Sequence, residues 1–440
     1  MRYSESRINR GMIYAQTPSF VKMCKVQKNT HFTRNRKMPL NNLMLTVLFR
    51  KGLTLHMELR AFKKTLNLKE TISKVGYLKQ RLKLNPAAFL SLARHHARNF
   101  YDDGQMVKKF KGYLILAVDG SAVNVPTTIE TLSTYGNASR DHMKPQAQLT
   151  LSSLFDTMNK MVIDCTINRN NCSEREQALL HIDNMREITG GHLSIVITDR
   201  GYPSGEFFID LLEREQKFIV RLPSTMFKQE QQQMESDDCL VNIAFDKTRI
   251  NPHRGTSTAE KLARVGSIEL RFVRLLLPSG EYEYLATNVS QEEFSTLEMG
   301  VLYGMRWGIE TAYDDLKNKL NLENFTGRSP ILLEQDIYAT VYICNVMNDI
   351  ILEAQQELEQ KRKYAGKHDM AINKNIAIGV IKEELIHVIL EKDHNKRKKR
   401  MEALIEEIKK NLLPVRKGRR YPRNKGNYAG NYSNTRKRSY

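Results

Sequence analysis

Little in this chain could cross-link it, tether it to a bilayer or cradle a nucleotide. Among its 440 residues are five cysteines, Cys24, Cys165, Cys172, Cys239 and Cys344, and no two stand as C-x-x-C. That spacing argues against a disulfide framework or a structural zinc site and fits a reducing compartment. There is one tryptophan, Trp307. No stretch is apolar enough to span a membrane: the best candidate, 337–353, is broken by Asn345, Asn348 and Asp349 and preceded by Asp336. Residues 1–10 are polar and charged, and read as no export signal. Neither G-x-x-x-x-G-K-[ST] nor H-E-x-x-H occurs, so neither an ATP requirement nor a zinc-protease site is expected.

What is abundant is positive charge. The net charge is +20. Residues 1–40 carry nine Lys or Arg against Glu5 alone, and residues 391–440 carry seventeen against five acids. These ends account for the whole excess and leave the middle neutral. A neutral body with two basic arms suits a phosphate backbone at both ends of the chain, or is simply solubilised by its tails. At 41% apolar and 27% charged, a chain this long is globular and buries two to four domains' worth of core.

The periodicity divides the chain. Residues 1–108 read as a helical, DNA-binding N-terminal region, in which 71–84 is either the recognition half of a helix-turn-helix or an ordinary amphipathic helix. His95 and His96 are neighbours on a helix, so they point apart and suit a polar or DNA-facing surface better than a metal. From 109 to 222 the pattern is α/β. Strand-like runs at 113–119, 148–156, 161–167, 194–199 and 217–222 are interleaved with helices at 173–189 and 206–215, the first capped by Ser173 with Glu176. Asp156 and Asp164, on the 148–167 hairpin, read as structural or exposed. Residues 223–295 read as a β-rich insertion with strands near 240–245, 267–277 and 281–289. Ser290 with Glu293 predicts a helix from Gln291 onward. Residues 296–335 return to the core, and 336–440 form a helical region with a basic tail.

Two aspartates close apolar strands, Asp119 in V-D-G-S and Asp199 in T-D-R-G-Y. Carboxylates at strand C-termini stand where α/β sheets bind ligands. On one helix through 291–320, Tyr303, Arg306, Glu310 and Lys317 fall within about 60° of each other. Leu302, Met305, Ile309, Ala312, Leu316 and Leu320 form a separate packing stripe. Three carboxylates suit hard divalent ions that activate water at a phosphodiester, and Tyr303, Arg306 and Lys317 beside them suit DNA phosphates. Arg200, next to Asp199, is a candidate for DNA contact or for structural pairing.

These residues resemble the bacterial DDE transposases of the insertion sequence 4 family, known by a Tyr-Arg-Glu-Lys signature that here is Tyr303, Arg306, Glu310 and Lys317. The D-R-G-Y at 199–202 and the order Asp, Asp, Glu agree. So does the long gap between Asp199 and Glu310, where the family inserts β structure. The resemblance covers roughly 110–335. It implies a ribonuclease-H-like catalytic core interrupted by a β-rich insertion, with Asp119, Asp199 and Glu310 as catalytic residues and metal ligands. It further implies two Mg²⁺ ions (Mn²⁺ substituting), double-stranded DNA as partner, a homodimer in the DNA complex, a bacterial cytoplasmic, nucleoid-associated setting, and cut-and-paste transposition by strand cleavage and transfer. Some relatives pass through a hairpin with a flipped base stacked on an aromatic, often a Trp of the insertion. This insertion has none, so Tyr282 or Tyr284 is the expected substitute. A non-mobilising nuclease of the same fold and an inactive DNA-binding descendant are the competing readings. The complete signature argues against the first and the intact triad against the second.

Overall fold

The computed structural model describes residues 2–34, 37–70, 72–139, 143–361 and 369–415. The basic tail expected from Arg416 onward lies outside the described residues. The chain forms two compact units. One takes in the N-terminal segment to Met106, Ala122–Leu149 and the segment from Tyr313 on; the other comprises Val107–Ser121 and Thr150–Ala312.

The first unit is helical. Around the long helix Pro330–Lys361 pack helices Ala87–Asp103, Tyr3–Tyr14, Leu40–Leu48 and His394–Lys410, so the expected N-terminal and C-terminal regions share one core. Asp349, one of the polar residues that interrupt the apolar 337–353 run, and Asp336 just before it pair with buried arginines in this core. Buried Asp336 lies 2.7 Å from Arg50 and 2.9 Å from Arg81, and buried Asp349 lies 2.6 Å from Arg7. His96 is buried 3.1 Å from Asp349 and His95 stacks on Tyr14 at 4.1 Å. The pair therefore serves this packing and does not form the polar outer surface expected of it. The 71–84 segment holds a short helix, Lys74–Arg81, started by Ser73 and anchored inward by Tyr77 and Arg81. No helix among the described residues is long and apolar enough to cross a membrane.

The second unit carries most of an eight-stranded sheet: β1 (Leu114–Asn124), β2 (Gln148–Asp156), β3 (Met161–Arg169), β4 (Ser194–Thr198), β5 (Lys217–Leu222), β6 (Asp238–Ala244), β7 (Ser267–Leu276) and β8 (Tyr282–Thr287). Its order is β3-β2-β1-β4-β5-β8-β7-β6. β1, β4 and β5 are parallel, and β8, β7 and β6 continue from β5 antiparallel. The expected insertion strands are thus present, but they widen the central sheet and do not form a separate layer. Three short helices, Lys228–Gln232, Lys247–Ile250 and Ser257–Val265, lie among them unannounced by the periodicity.

Two expectations about local structure change. β1 does not stop at Asp119: the buried run ends at Val118, but extended backbone continues to Asn124. The Ser290–Glu293 box does form, with Ser290 N–H on Glu293 Oε2 at 3.0 Å and Glu293 N–H on Ser290 Oγ at 3.3 Å. It closes a turn, however, because Glu293 is also held by the Tyr113 hydroxyl and Lys217 Nζ. The helix begins later, at Thr296, on a second box made by Ser295 and Glu298.

A buried chain of Ser152, His181 and Asp164 (3.0 Å, then 2.9 Å) has the order of a hydrolytic relay. None of the three is more than 3% exposed, so it serves to fasten helix Glu174–Ile188 to β2 and β3. Asp156 likewise is buried and accepts the backbone N–H groups of Met158 and Asn159 in the hairpin turn.

Candidate active site

Register brings the two aspartates together. Leu114 pairs with Ser194 and Ala117 with Ile197; continued two residues further, the same register sets Asp119 beside Asp199. Alternation then fixes the face. Ile115, Ile195, Ile197 and Ile219 belong to one apolar cluster with Met299, Leu302 and Tyr303, so the helix Thr296–Gly304 covers the sheet face on which Asp119 and Asp199 also fall. Each aspartate is steadied by local backbone: Gly120 N–H donates to Asp119 Oδ1 and Gly201 N–H to Asp199 Oδ1, both at 2.8 Å.

The signature segment is not the single helix its periodicity suggests. Helix Thr296–Gly304 ends, the chain turns through Met305 and Arg306, and a second helix runs Trp307–Asp314 into a π-wound turn, Asp315–Lys319. Gly308 fits closely over the β2–β3 turn, where a Cβ would sit 3.3 Å from Thr157 Cβ. The Thr157 hydroxyl in turn bonds the Ile115 carbonyl of β1 at 3.0 Å. The break presses Arg306 inward. Its Nη2 donates to Glu310 Oε1 at 2.8 Å, and its guanidinium lies 5.9 Å from the Tyr303 ring and 5.4 Å from Trp307. Tyr303 and Arg306 are buried and so are not presented outward as a helical stripe; Trp307 is 48% exposed. Lys317 lies in the helical unit, where its ammonium donates to the Ala122 carbonyl at 2.6 Å and burial lowers its pKa. The structure thus brings Tyr303, Arg306 and Glu310 together without showing Lys317 among them.

The electrostatics mark the same place. Burial pushes Asp119 up to about 6; Asp199 and Glu174 add to the rise, while the Gly120 N–H and Arg306 oppose it. Burial would pull Arg306 down, but Tyr303, Glu310 and Asp119 outweigh it and the guanidinium is held above its usual range. Glu283, ion-paired with Arg221 at 3.0 Å, faces Arg306 as well, and burial raises it. Because side chains alternate along β8, Tyr282 and Tyr284 project from the opposite face of the sheet to Glu283. The expected base-stacking tyrosines are therefore not gathered with the signature residues. Arg200 is exposed beside Asp199.

One acid was missed. Glu174, passed over within the S-E-R-E capping segment, reaches this rim from helix Glu174–Ile188. A Cβ on Gly120 would lie 3.3 Å from its Oε1 and one on Gly201 3.3 Å from its Oε2. No sequence pattern singles it out, since an acid in a first helical turn is ordinary.

The donor set is hard carboxylate oxygen, the kind that holds Mg²⁺ or Mn²⁺. Glycine at 120 and 201 leaves a cradle that a side chain would fill, so the residues fit a divalent ion in their chemistry. Among the described residues no three such side chains already converge into a coordination shell.

Comparison with known proteins gives the family. Residues 110–346, more than half of the chain, match the family model described as the transposase DDE domain. Over 111 residues the chain is 27% identical to the transposase of insertion sequence element IS421 of Escherichia coli and to the InsL protein of element IS186A of E. coli K12. Each match spans 25% of this chain and 28% of the relative. The piggyBac transposase in its synaptic complex with hairpin DNA superposes with a TM-score of 0.44 at 10% identity, over 90% of this chain and 85% of that one. From strand register to family match, residues 110–346 carry one assignment: the chain belongs to the transposase DDE domain family.

Proposed function

We propose that this protein is a transposase of the insertion sequence 4 signature group. In this reading it binds the ends of its element and catalyses metal-dependent strand cleavage and strand transfer, by cut-and-paste, on a ribonuclease-H-like core. The observation that supports the reading is that strand register sets Asp119 beside Asp199, while Arg306, hydrogen-bonded to Glu310, lies near enough to Asp119 to oppose its rise in pKa.

In this reading Asp119, Asp199 and Glu310 hold two Mg²⁺ ions, or Mn²⁺, which supply a water activated at neutral pH and stabilisation of the leaving oxygen. The protein's own part is positional. The strand register fixes the aspartates, Gly308 seats the helix that bears Glu310, and Arg306 holds Glu310 in place. Tyr303 packs beneath Arg306. Arg200, on the exposed rim, and Lys317 grip DNA phosphates. Trp307, half-exposed beside Arg306, offers a π-face to an unstacked base, in place of Tyr282 or Tyr284. The working form is a homodimer on double-stranded DNA, in a bacterial cytoplasm and nucleoid, without ATP.

The test is cleavage of a linear DNA carrying the sequences that flank the gene, with Mg²⁺ or Mn²⁺, by the wild type and by Glu310→Gln. Metal-dependent cuts at fixed ends, lost in the variant while a mobility shift persists, are expected. A wild type that binds this DNA and cuts it with neither metal overturns the reading in favour of an inactive descendant.

A further inference from the structure

We infer that Glu174 is a fourth carboxylate of the metal site, a ligand acting with Asp119 and Asp199. The inference rests on the proposed function and extends it to a residue outside the Asp-Asp-Glu triad.

The geometry is specific. Asp119 and Asp199 lie on one face of the sheet, under helix Thr296–Gly304. Helix Glu174–Ile188 packs on the other face: Ser194 alternates with Ile195 along β4, and its hydroxyl lies 3.8 Å from Met185 Sδ of that helix. The first turn of this helix comes up to the rim and brings Glu174 against Gly120 of β1 and Gly201 of the turn after β4. Its oxygens stand 3.3 Å from where a side chain on Gly120 or on Gly201 would begin. Gly201 is crowded from a second side, since the same Cβ would lie 3.2 Å from Asp199 Oδ1. Strand β1 just after Asp119 and the turn after Asp199 are thus glycine at the points where a carboxylate from the opposite helix must approach.

The charge count points to a cation. Asp119, Asp199 and Glu174 meet at this rim. The buried cation nearby, Arg306, hydrogen-bonds Glu310 and is felt at Asp119 as well, and Arg200 stands exposed beside Asp199. Arg175, which follows Glu174, donates instead to the carbonyls of Tyr202 and Pro203. Three carboxylates brought to one place from three elements favour a cation among them, and carboxylate oxygens select a hard divalent one. The plainer alternative is that Glu174 complements the dipole of its helix, as any first-turn acid does. Glu176 occupies the same turn and serves as the control for that role.

The experiment is a Mn²⁺ titration followed by electron paramagnetic resonance, with thermal melting in the absence of metal, on the full chain. It compares wild type, Glu174→Gln, Glu176→Gln and Asp119→Asn. Glu174→Gln is expected to bind Mn²⁺ at least about tenfold more weakly, on the scale seen when groups around a metal site are removed. Without metal it should melt no lower than the wild type, because removing it relieves repulsion. Glu176→Gln should leave Mn²⁺ affinity unchanged. If Asp119→Asn loses Mn²⁺ while Glu174→Gln retains it within about twofold, Glu174 is no ligand and the proposed function stands. If Glu174→Gln melts lower without metal and keeps its Mn²⁺, the helix-dipole role is the correct one. If the wild type shows no saturable Mn²⁺ binding, or Asp119→Asn retains it, the metal site itself fails and the functional reading with it.

Discussion

Asp119→Asn should make the metal-free protein more stable, in a pH-dependent way that can be worked out in advance. The carboxyl titrates near 6 in the fold against 3.8 as its ordinary value. Each unit is about 1.4 kcal/mol, so holding Asp119 ionised costs the folded state at most about 3 kcal/mol. Allowing for the amide's own burial leaves a gain of about 1–2 kcal/mol for the variant. Between these two pKa values the folded state binds more protons than the unfolded one, so wild-type stability falls as pH rises through this window. The variant lacks that loss. Its advantage should be full at pH 8, shrink below pH 6, and vanish below about pH 4, where the aspartate is protonated in both states. For a core of this size the gain is a rise in melting temperature of about 2–8 °C. Trp307, the only tryptophan, lies 5.4 Å from the Arg306 guanidinium, so its fluorescence reports unfolding at the site itself. A melt at pH 8 in a chelator, repeated at pH 5, is the assay. A variant that melts lower than wild type at pH 8, or a gain independent of pH, refutes the electrostatic account of this site.

Other outcomes follow from single contacts. Asp336→Asn leaves Arg50 and Arg81 buried without their counter-charge, and should cost the helical unit about 3–5 kcal/mol in denaturant unfolding. Gly308→Val places a branched side chain against Thr157; about 1–3 kcal/mol of stability should be lost, with strand cleavage falling further than DNA binding in a mobility shift. Replacing Tyr282 and Tyr284 together with alanine should leave processing of the element ends within about twofold of wild type, since both project from the sheet face opposite Glu283. A large loss of end processing would return base stacking to them.

How much could be read from the sequence varied with the range of the interaction that decides each element. β4 and β5, continuous apolar runs flanked by turns, fall where the pattern puts them, because complete burial is written into consecutive residues. The capping boxes show the limit. Ser173, Ser290 and Ser295 all satisfy the local chemistry, yet Ser290 opens only a turn, because Tyr113 and Lys217, distant in sequence, hold its partner Glu293. The signature spacing located Tyr303, Arg306 and Glu310, but the break at Arg306 that buries the guanidinium depends on contacts across the sheet. Glu174 was illegible for the same reason: its meaning lies in two glycines distant in sequence, one in β1 and one in the turn after β4.

The sheet also has a consequence for synthesis. Leu114 of β1 finds its partner at Ser194, and β5 finds an antiparallel partner only in β8, at Tyr284–Thr287. The helix segment bearing Glu310 comes later still. A nascent chain therefore carries both aspartates long before it can assemble the surface that completes them, and pairings this distant form slowly. Premature termination anywhere in the first two-thirds of the message would yield a fragment holding basic segments but no complete cutting centre. On the proposed function, such a fragment has no strand-cutting activity, so topology alone delays that activity until translation is well past the middle.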